Sequence, residues 1–123
     1  MAWLKLSAIL EPVNLTRRIY GFDTFEGFPS VGEKDQTEVR NTQEGELRSS
    51  SHQELLKLID AYDSDRFLGH IPKVHLIQGD AVETIPRFLE ENPHLLVSLL
   101  FLDFDLYEPT KVALQHFLPR MPK

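Results

Sequence analysis

Residues 95–110, with the sequence LLVSLLFLDFDLYEPT, constrain the fold of this chain more than any other stretch. Residues 95–102 are apolar except for Ser98, and the sequence then turns acidic at Asp103 and Asp105. A short apolar run is typical of a strand that is buried on both faces, as in the middle of a parallel sheet. Ligands of open α/β sheets bind just beyond the carboxyl ends of such strands. The stretch therefore predicts a central strand that leads into a ligand-binding edge.

The spacing of Asp103 and Asp105 allows both carboxylates to bind the same ligand. Residues i and i+2 of an extended segment point to the same side, so the two carboxylates can converge on one cation or one proton. The alternative is that they cap the next helix or end the strand in solvent. The buried strand directly before them favours the ligand site. Pro109 is then suited to the first position of a helix.

The composition excludes several classes of function. The chain has 123 residues, which is enough for one domain with a modest core. Its net charge of −6 does not favour a nucleic-acid partner, and the absence of cysteine excludes disulfides and thiolate chemistry. Residues 95–102 are too few to cross a bilayer, and the N-terminus lacks the pattern of a secretory signal. We therefore expect a cytoplasmic protein without a membrane or nucleic-acid partner.

Helical and extended patterns alternate along the chain. The predicted elements, in order, are a helix over residues 1–10, a strand within 17–25, a helix that begins with a capping box at Ser51 and Glu54, a strand over 73–77, a helix over 85–91 that starts at Thr84 and Pro86, the central strand, and a helix over 109–118. This alternation predicts an α/β fold with a parallel sheet flanked by helices. Residues 29–50 are polar and predict a mobile lid beside the pocket or a disordered loop.

Two further aspartates follow predicted strands. Asp23 ends the strand within 17–25, and Asp80 comes just after the strand over 73–77. In nucleotide-binding α/β folds an acidic residue at this place commonly accepts hydrogen bonds from ribose hydroxyls, although turn aspartates are also common. Because the carboxyl ends of parallel strands share one edge, we expect Asp23, Asp80 and Asp103 to lie on a common rim.

Three segments resemble one enzyme family. They are RRIYGFDTFEGFPS (residues 17–30), LIQGDAVETIP (76–86) and LLFLDFDLYEPTKVAL (99–114). In this order and spacing they are similar to the macrocin O-methyltransferase (TylF-type) family, whose members are class I enzymes that use S-adenosylmethionine. The resemblance covers nearly all of the chain. It implies a single methyltransferase domain over residues 1–123 with a Rossmann-like fold.

The resemblance also implies roles for individual residues. Asp23 would bind the ribose of the cofactor, and Asp80 and Ala81 would lie against its adenine. Asp103 would be a ligand of Mg²⁺, and Asp105 would be the general base on the acceptor hydroxyl. The residue types suit these roles, because Mg²⁺ prefers hard oxygen ligands and a nearby carboxylate can take a proton.

The acceptor implied by the resemblance is a small molecule. It would carry its reacting hydroxyl on a sugar or a similar natural product, in a pocket lined by Tyr107. A metal ion beside a hydroxyl lowers the pKa of that hydroxyl and orients it for methyl transfer.

Two features of the family pattern are missing from the chain. The glycine-rich cofactor loop is absent, since the six glycines nowhere form a G-x-G-x-x-G spacing. The paired acidic residues that complete the family's metal site on a later strand are absent as well. We therefore expect a partial domain, without the first and last strands of the fold, that binds the cofactor poorly and shows no turnover. Unpaired strand edges invite association, so we also expect homo-oligomers.

Other functions are compatible with parts of the sequence. The string FLDFDLY also resembles the haloacid-dehalogenase phosphotransferase motif, in which the first aspartate is the nucleophile. A D-x-D pair can also hold a metal on the diphosphate of a sugar nucleotide, as in sugar-nucleotide transferases. A third alternative is a folded remnant without catalysis. The methyltransferase interpretation alone explains Asp23, Asp80 and Asp103 at successive strand ends.

Overall fold

The computed structural model describes residues 1–23 and 40–123. In chain order the elements are α1 (Ala2–Leu10), β1 (Ile19–Asp23), α2 (Arg40–Asp65), β2 (Val74–Gln78), α3 (Ala81–Glu91), α4 (Tyr107–Phe117) and a 3₁₀-helix (Leu118–Arg120). Strands β1 and β2 pair as a small parallel sheet. The predicted α/β class is confirmed. None of the described helices is long and apolar enough to cross a membrane.

The predicted central strand is absent. Residues 95–102 form neither helix nor strand, and the sheet of the described residues consists of β1 and β2 alone. Leu96 is 73% exposed and Leu99 is 59% exposed, so the prediction of burial on both faces was wrong. A hydrogen bond joins the segment to the 3₁₀-helix, because the amide of Val97 donates to the carbonyl of Arg120 at 3.0 Å. A parallel strand is buried by the strands and helices around it, and a local apolar pattern cannot supply these neighbours.

Helix α2 begins earlier than predicted. It starts at Arg40, so Ser51 lies inside the helix and the predicted capping box does not mark its N-terminus. Residues 40–50 include Gln, Glu, Arg and Leu, which have high helix propensity, together with poorer helix formers such as Gly45. Residues 29–39 of the predicted lid lie outside the described residues, and a lid role for the segment stays a prediction.

Helices α3 and α4 also begin before their predicted starts. Helix α3 starts at Ala81, so Pro86 lies within it rather than at its beginning. Helix α4 starts at Tyr107, which makes Pro109 its third residue instead of its first. Proline is tolerated there because the amides of the first helical turn have no acceptor within the helix.

The chain divides into two compact units. The first contains α1, most of β1, α2 and most of β2, and its buried side chains include Leu4 and Ile59. The ring of Tyr20 stacks on the ring of His75 with 5.4 Å between centroids. His75 is therefore packed against a neighbouring aromatic ring on the sheet.

Lys73 is a buried cation in the first unit. Its side chain is nearly inaccessible, and its Nζ donates a hydrogen bond to the carbonyl of Asn14 at 2.9 Å. Burial lowers the pKa of Lys73 from its ordinary value of 10.5, which the negative charge of Glu11 opposes and the positive charges of Arg66 and Arg17 reinforce. The fold therefore favours the neutral amine more than the unfolded chain does.

Lys73 predicts a pH-dependent stability. Between the lowered pKa of the folded state and 10.5 the unfolded chain binds more protons at this residue, so the free energy of unfolding should rise with pH. The replacement Lys73→Met should remove this rise. Urea denaturation of both proteins over alkaline pH measures it, and equal pH slopes for the two proteins would contradict the prediction.

The second unit contains the end of β1, the end of β2, α3 and α4. Helices α3 and α4 pack together, and their buried residues are Ala81, Ile85, Phe88, Leu89, Ala113 and Phe117. Phe22, near the end of β1, meets Phe88 edge to face at 5.2 Å and Phe117 at 5.7 Å between ring centroids. This aromatic cluster fixes the carboxyl end of β1, and with it the backbone of the next residue, Asp23.

Candidate functional site

The carboxyl edge of the sheet brings two predicted site residues together. Asp23 is the last residue of β1, and the amide of Gly79, directly after β2, donates to its carbonyl at 3.1 Å. Asp80 follows Gly79 immediately. Asp23 and Asp80 therefore occupy adjacent positions at the edge where α/β folds bind their ligands.

Gly79 sets the path of the backbone into Asp80. Its backbone φ of +137° lies in a region that residues other than glycine rarely adopt. A Cβ on this residue would lie 2.8 Å from the Cγ2 of Thr84. The connection from β2 to α3 is only two residues long, Gly79 and Asp80, so the start of α3 lies close to the carboxyl end of β2.

Asp80 also caps a helix, a role that its position after a strand did not indicate. It is the N-cap of α3, and its Oδ1 accepts a hydrogen bond from the amide of Val82 at 3.0 Å. The signal was present in the sequence, because Asp80 and Glu83 have the spacing of a capping box. Ala81 is the first helical residue and is buried. Its amide belongs to the first turn, which has no acceptor inside the helix, so it is a suitable donor to a ligand.

The other predicted site residues lie in the segment that leads into α4. Asp103 and Asp105 are exposed and belong to neither a helix nor a strand. Tyr107 is the first residue of α4 and is 75% exposed, with the Nζ of Lys111 5.9 Å from its ring centroid. Sequence reasoning gave no role to Thr110 in the same motif, yet its hydroxyl contacts the backbone of this segment.

The described residues do not form a magnesium site by themselves. Among the side chains that the structure describes, those of residues 1–23 and 52–123, no three His, Asp or Glu lie close enough together to hold a metal ion. Mg²⁺ requires octahedral coordination by oxygen atoms, and Asp103 and Asp105 would supply only part of it.

A surface depression of about 420 Å³ lies elsewhere in the second unit. It is lined by residues of α3, α4 and their flanks, namely Pro86, Leu89, Glu90, Pro93, Gln115, His116 and Arg120. None of the predicted site residues contributes to it. The depression is therefore distinct from the sheet-edge site.

The arrangement of carboxylates at the sheet edge is characteristic of one broad class of proteins. Parallel strands with carboxylates at one edge are typical of α/β enzymes that bind a nucleotide-like cofactor. The family follows from comparison: the chain belongs to the macrocin-O-methyltransferase (TylF) family, whose sequence profile matches residues 2–123. The resemblance seen in the three sequence motifs is thus confirmed.

Solved structures agree with the family. A crystal structure described as CalS11, calicheamicin methyltransferase, is 36% identical, with a TM-score of 0.75, and covers 98% of this chain and 48% of that one. An apo structure described as CalS11, TDP-rhamnose 3'-O-methyltransferase, is also 36% identical, with a TM-score of 0.71 and coverage of 98% and 45%. The chain spans about half the length of these proteins and has a partial Rossmann-like fold. A search of curated protein sequences gave no match.

Proposed function

We propose that this chain carries the adenosyl-binding part of an O-methyltransferase that uses S-adenosylmethionine. The acceptor in this proposal is a hydroxyl group of a sugar or a similar natural product. The observation that carries it is the adjacency of Asp23 and Asp80 at the carboxyl edge of the parallel strands. Membership of the family and the similarity to a protein described as a TDP-rhamnose 3'-O-methyltransferase support the chemistry and the acceptor class.

On the cofactor side, Asp23 accepts hydrogen bonds from the ribose hydroxyls. A carboxylate suits a pair of hydroxyl donors, because hydrogen bonds to charged acceptors are stronger than those between neutral groups. Asp80 and the amide of Ala81 lie against the adenine. The cap bond from Val82 holds the Asp80 carboxylate in place before any ligand arrives, which reduces the ordering cost of binding.

On the acceptor side, Asp105 takes the proton from the acceptor hydroxyl as the general base. Tyr107 lines the acceptor pocket. S-adenosylmethionine supplies the methyl group when it is bound. Asp103 remains a proposed ligand of a divalent cation such as Mg²⁺, which would need further ligands beyond the described residues. Self-association through exposed strand edges and a cytoplasmic location stay predictions.

Cofactor binding can be tested with S-adenosylhomocysteine and isothermal titration calorimetry. We expect weak binding by the wild-type chain, because its 123 residues contain no glycine-rich loop. The replacement Asp23→Asn should weaken it by a further 10- to 100-fold, which corresponds to about 1.5–3 kcal/mol for a hydrogen bond to a charged group. The replacement Asp80→Asn removes the charge but keeps a good N-cap, so a loss of affinity in this variant is not due to loss of α3.

A matched control is Asp60→Asn on α2, which changes an exposed aspartate of the first unit that has no proposed role in binding. This variant should bind like the wild type. Equal affinities for wild-type, Asp23→Asn and Asp80→Asn proteins would contradict the proposed roles of both aspartates. Methyl transfer above background by this chain alone would contradict the expected lack of turnover.

A further inference from the structure

The hydroxyl of Thr110 lies near two backbone carbonyls, and the proposed function gives this residue no role. It lies in the first part of α4, and its Oγ1 is 2.9 Å from the carbonyl oxygen of Leu106 and 3.4 Å from that of Phe104. These two carbonyls flank Asp105 in the sequence. The hydroxyl therefore donates its one proton mainly to the nearer carbonyl, that of Leu106, and lies at the outer limit of hydrogen-bond distance from the carbonyl on the other side of the proposed general base.

Helix geometry accounts for only one of these contacts. A threonine hydroxyl in a helix often lies near the carbonyl four residues earlier, which here is the carbonyl of Leu106, the N-cap residue. The carbonyl of Phe104 is six residues earlier and lies outside the helix. The second contact therefore depends on the conformation of residues 103–106, which belong to neither a strand nor a helix.

We propose that Thr110 is a positioning residue that holds the turn over residues 103–106, and so sets the placement of the Asp103 and Asp105 carboxylates. This role rests on the proposed function only where it concerns methyl transfer. Its structural part concerns the turn itself. Asp103 and Asp105 are exposed, so packing alone restrains them little, and the hydroxyl restrains the backbone that carries them.

The test uses two substitutions at Thr110 and the same substitution elsewhere. Thr110→Val removes the hydroxyl at constant shape, and Thr110→Ser keeps it. Thr84→Val is the matched control, because the hydroxyl of Thr84 is buried and has no hydrogen-bond partner among the described residues. Backbone order parameters from ¹⁵N relaxation are measured for the turn over residues 103–106 and for residues 111–117 of α4.

In the Thr110→Val protein we expect the order parameters of the turn to fall from about 0.85 toward about 0.6, the values of rigid and flexible backbone. Those of residues 111–117 should stay unchanged. Thr110→Ser and Thr84→Val should both retain the wild-type values. An unchanged turn in Thr110→Val would overturn the proposal, as would a Thr110→Ser protein that behaves like Thr110→Val. Loss of order throughout α4 would also overturn it, because the hydroxyl would then act on the helix as a whole.

Titration of the same samples with S-adenosylhomocysteine separates the two proposals. The relaxation measurement needs no bound cofactor. A wild-type chain that does not bind S-adenosylhomocysteine would therefore count against the proposed function while leaving the result for Thr110 intact. Binding by the wild type together with an unchanged turn in Thr110→Val would count against the positioning role alone.

Discussion

Replacement of Phe88 by alanine is expected to reduce the free energy of unfolding of the second unit by about 3–5 kcal/mol. The Phe88 side chain is only 8% exposed, and its ring meets the ring of Phe22 at 5.2 Å. Alanine would remove both the apolar burial and the edge-to-face contact, and it would leave a cavity between α3 and the sheet. Urea denaturation followed by circular dichroism measures the loss.

The matched control is Phe67→Ala in the first unit, because the Phe67 side chain is 63% exposed. This change should alter the free energy of unfolding by no more than about 0.5 kcal/mol. A Phe88→Ala protein with a stability close to that of Phe67→Ala would contradict the aromatic cluster as the core of the second unit. Because Phe22 directly precedes Asp23, the Phe88→Ala protein should also bind S-adenosylhomocysteine more weakly than the wild type.

Replacement of Gly69 by alanine is the second change with a large expected effect. A Cβ at this position would lie 1.6 Å from the carbonyl oxygen of Asp63 and 3.0 Å from that of Arg66. Both obstacles are backbone atoms, so no side-chain rotation can relieve the clash, and the turn between α2 and β2 must rearrange. We expect a loss of about 3 kcal/mol or more in the free energy of unfolding, at the upper end of the range for overpacking.

The turn that contains Gly69 has little room to adapt. Arg66 donates from Nε to the Oδ1 of Asp63 at 2.6 Å and from Nη2 to the carbonyl of Ile71 at 2.5 Å. Leu68 already has a φ of +55°, in the left-handed region that costs about 1–3 kcal/mol for such a residue. Movement of the backbone at Gly69 would break this network, which adds to the cost of the clash.

Gly21→Ala is the control for the glycine change, since it lies in the same unit. A Cβ there would meet the Cδ2 of Leu76 at 3.0 Å, and that atom is the end of a flexible side chain. The higher strand propensity of alanine offsets part of the crowding, so a change of about 1 kcal/mol or less is expected. Equal thermal stabilities of the Gly21→Ala and Gly69→Ala proteins would contradict the steric explanation.

Several elements were predictable because short-range patterns determine them. Helix α1 and strands β1 and β2 lie where local propensity and alternation predict them. The placement of Asp23 and Asp80 just at or beyond strand ends follows from the same local signals. The three sequence motifs also led to the correct family, because each holds specific residues at fixed spacing.

Other features required information that a local pattern does not contain. The start of α2 at Arg40 was missed because residues 40–50 are polar and lack the apolar periodicity that marks the rest of the helix. Asp80 lies just after a strand and is also the N-cap of a helix, so the sequence alone allows both a ligand-binding role and a structural role for its carboxylate. The contact of Thr110 with Phe104 joins residues on either side of a turn, and no periodicity reports such a contact.

The sequence by itself determined the α/β class, the family and the arrival of two aspartates at the ends of paired strands, because each depends on residues close together in the chain. Only the tertiary structure decided whether residues 95–102 form a buried strand. Their apolar side chains are suited to a buried strand, yet Leu96 and Leu99 are mostly exposed. A strand forms where a neighbour accepts its backbone hydrogen bonds and covers its faces, and that neighbour is a property of the folded assembly and not of the apolar run.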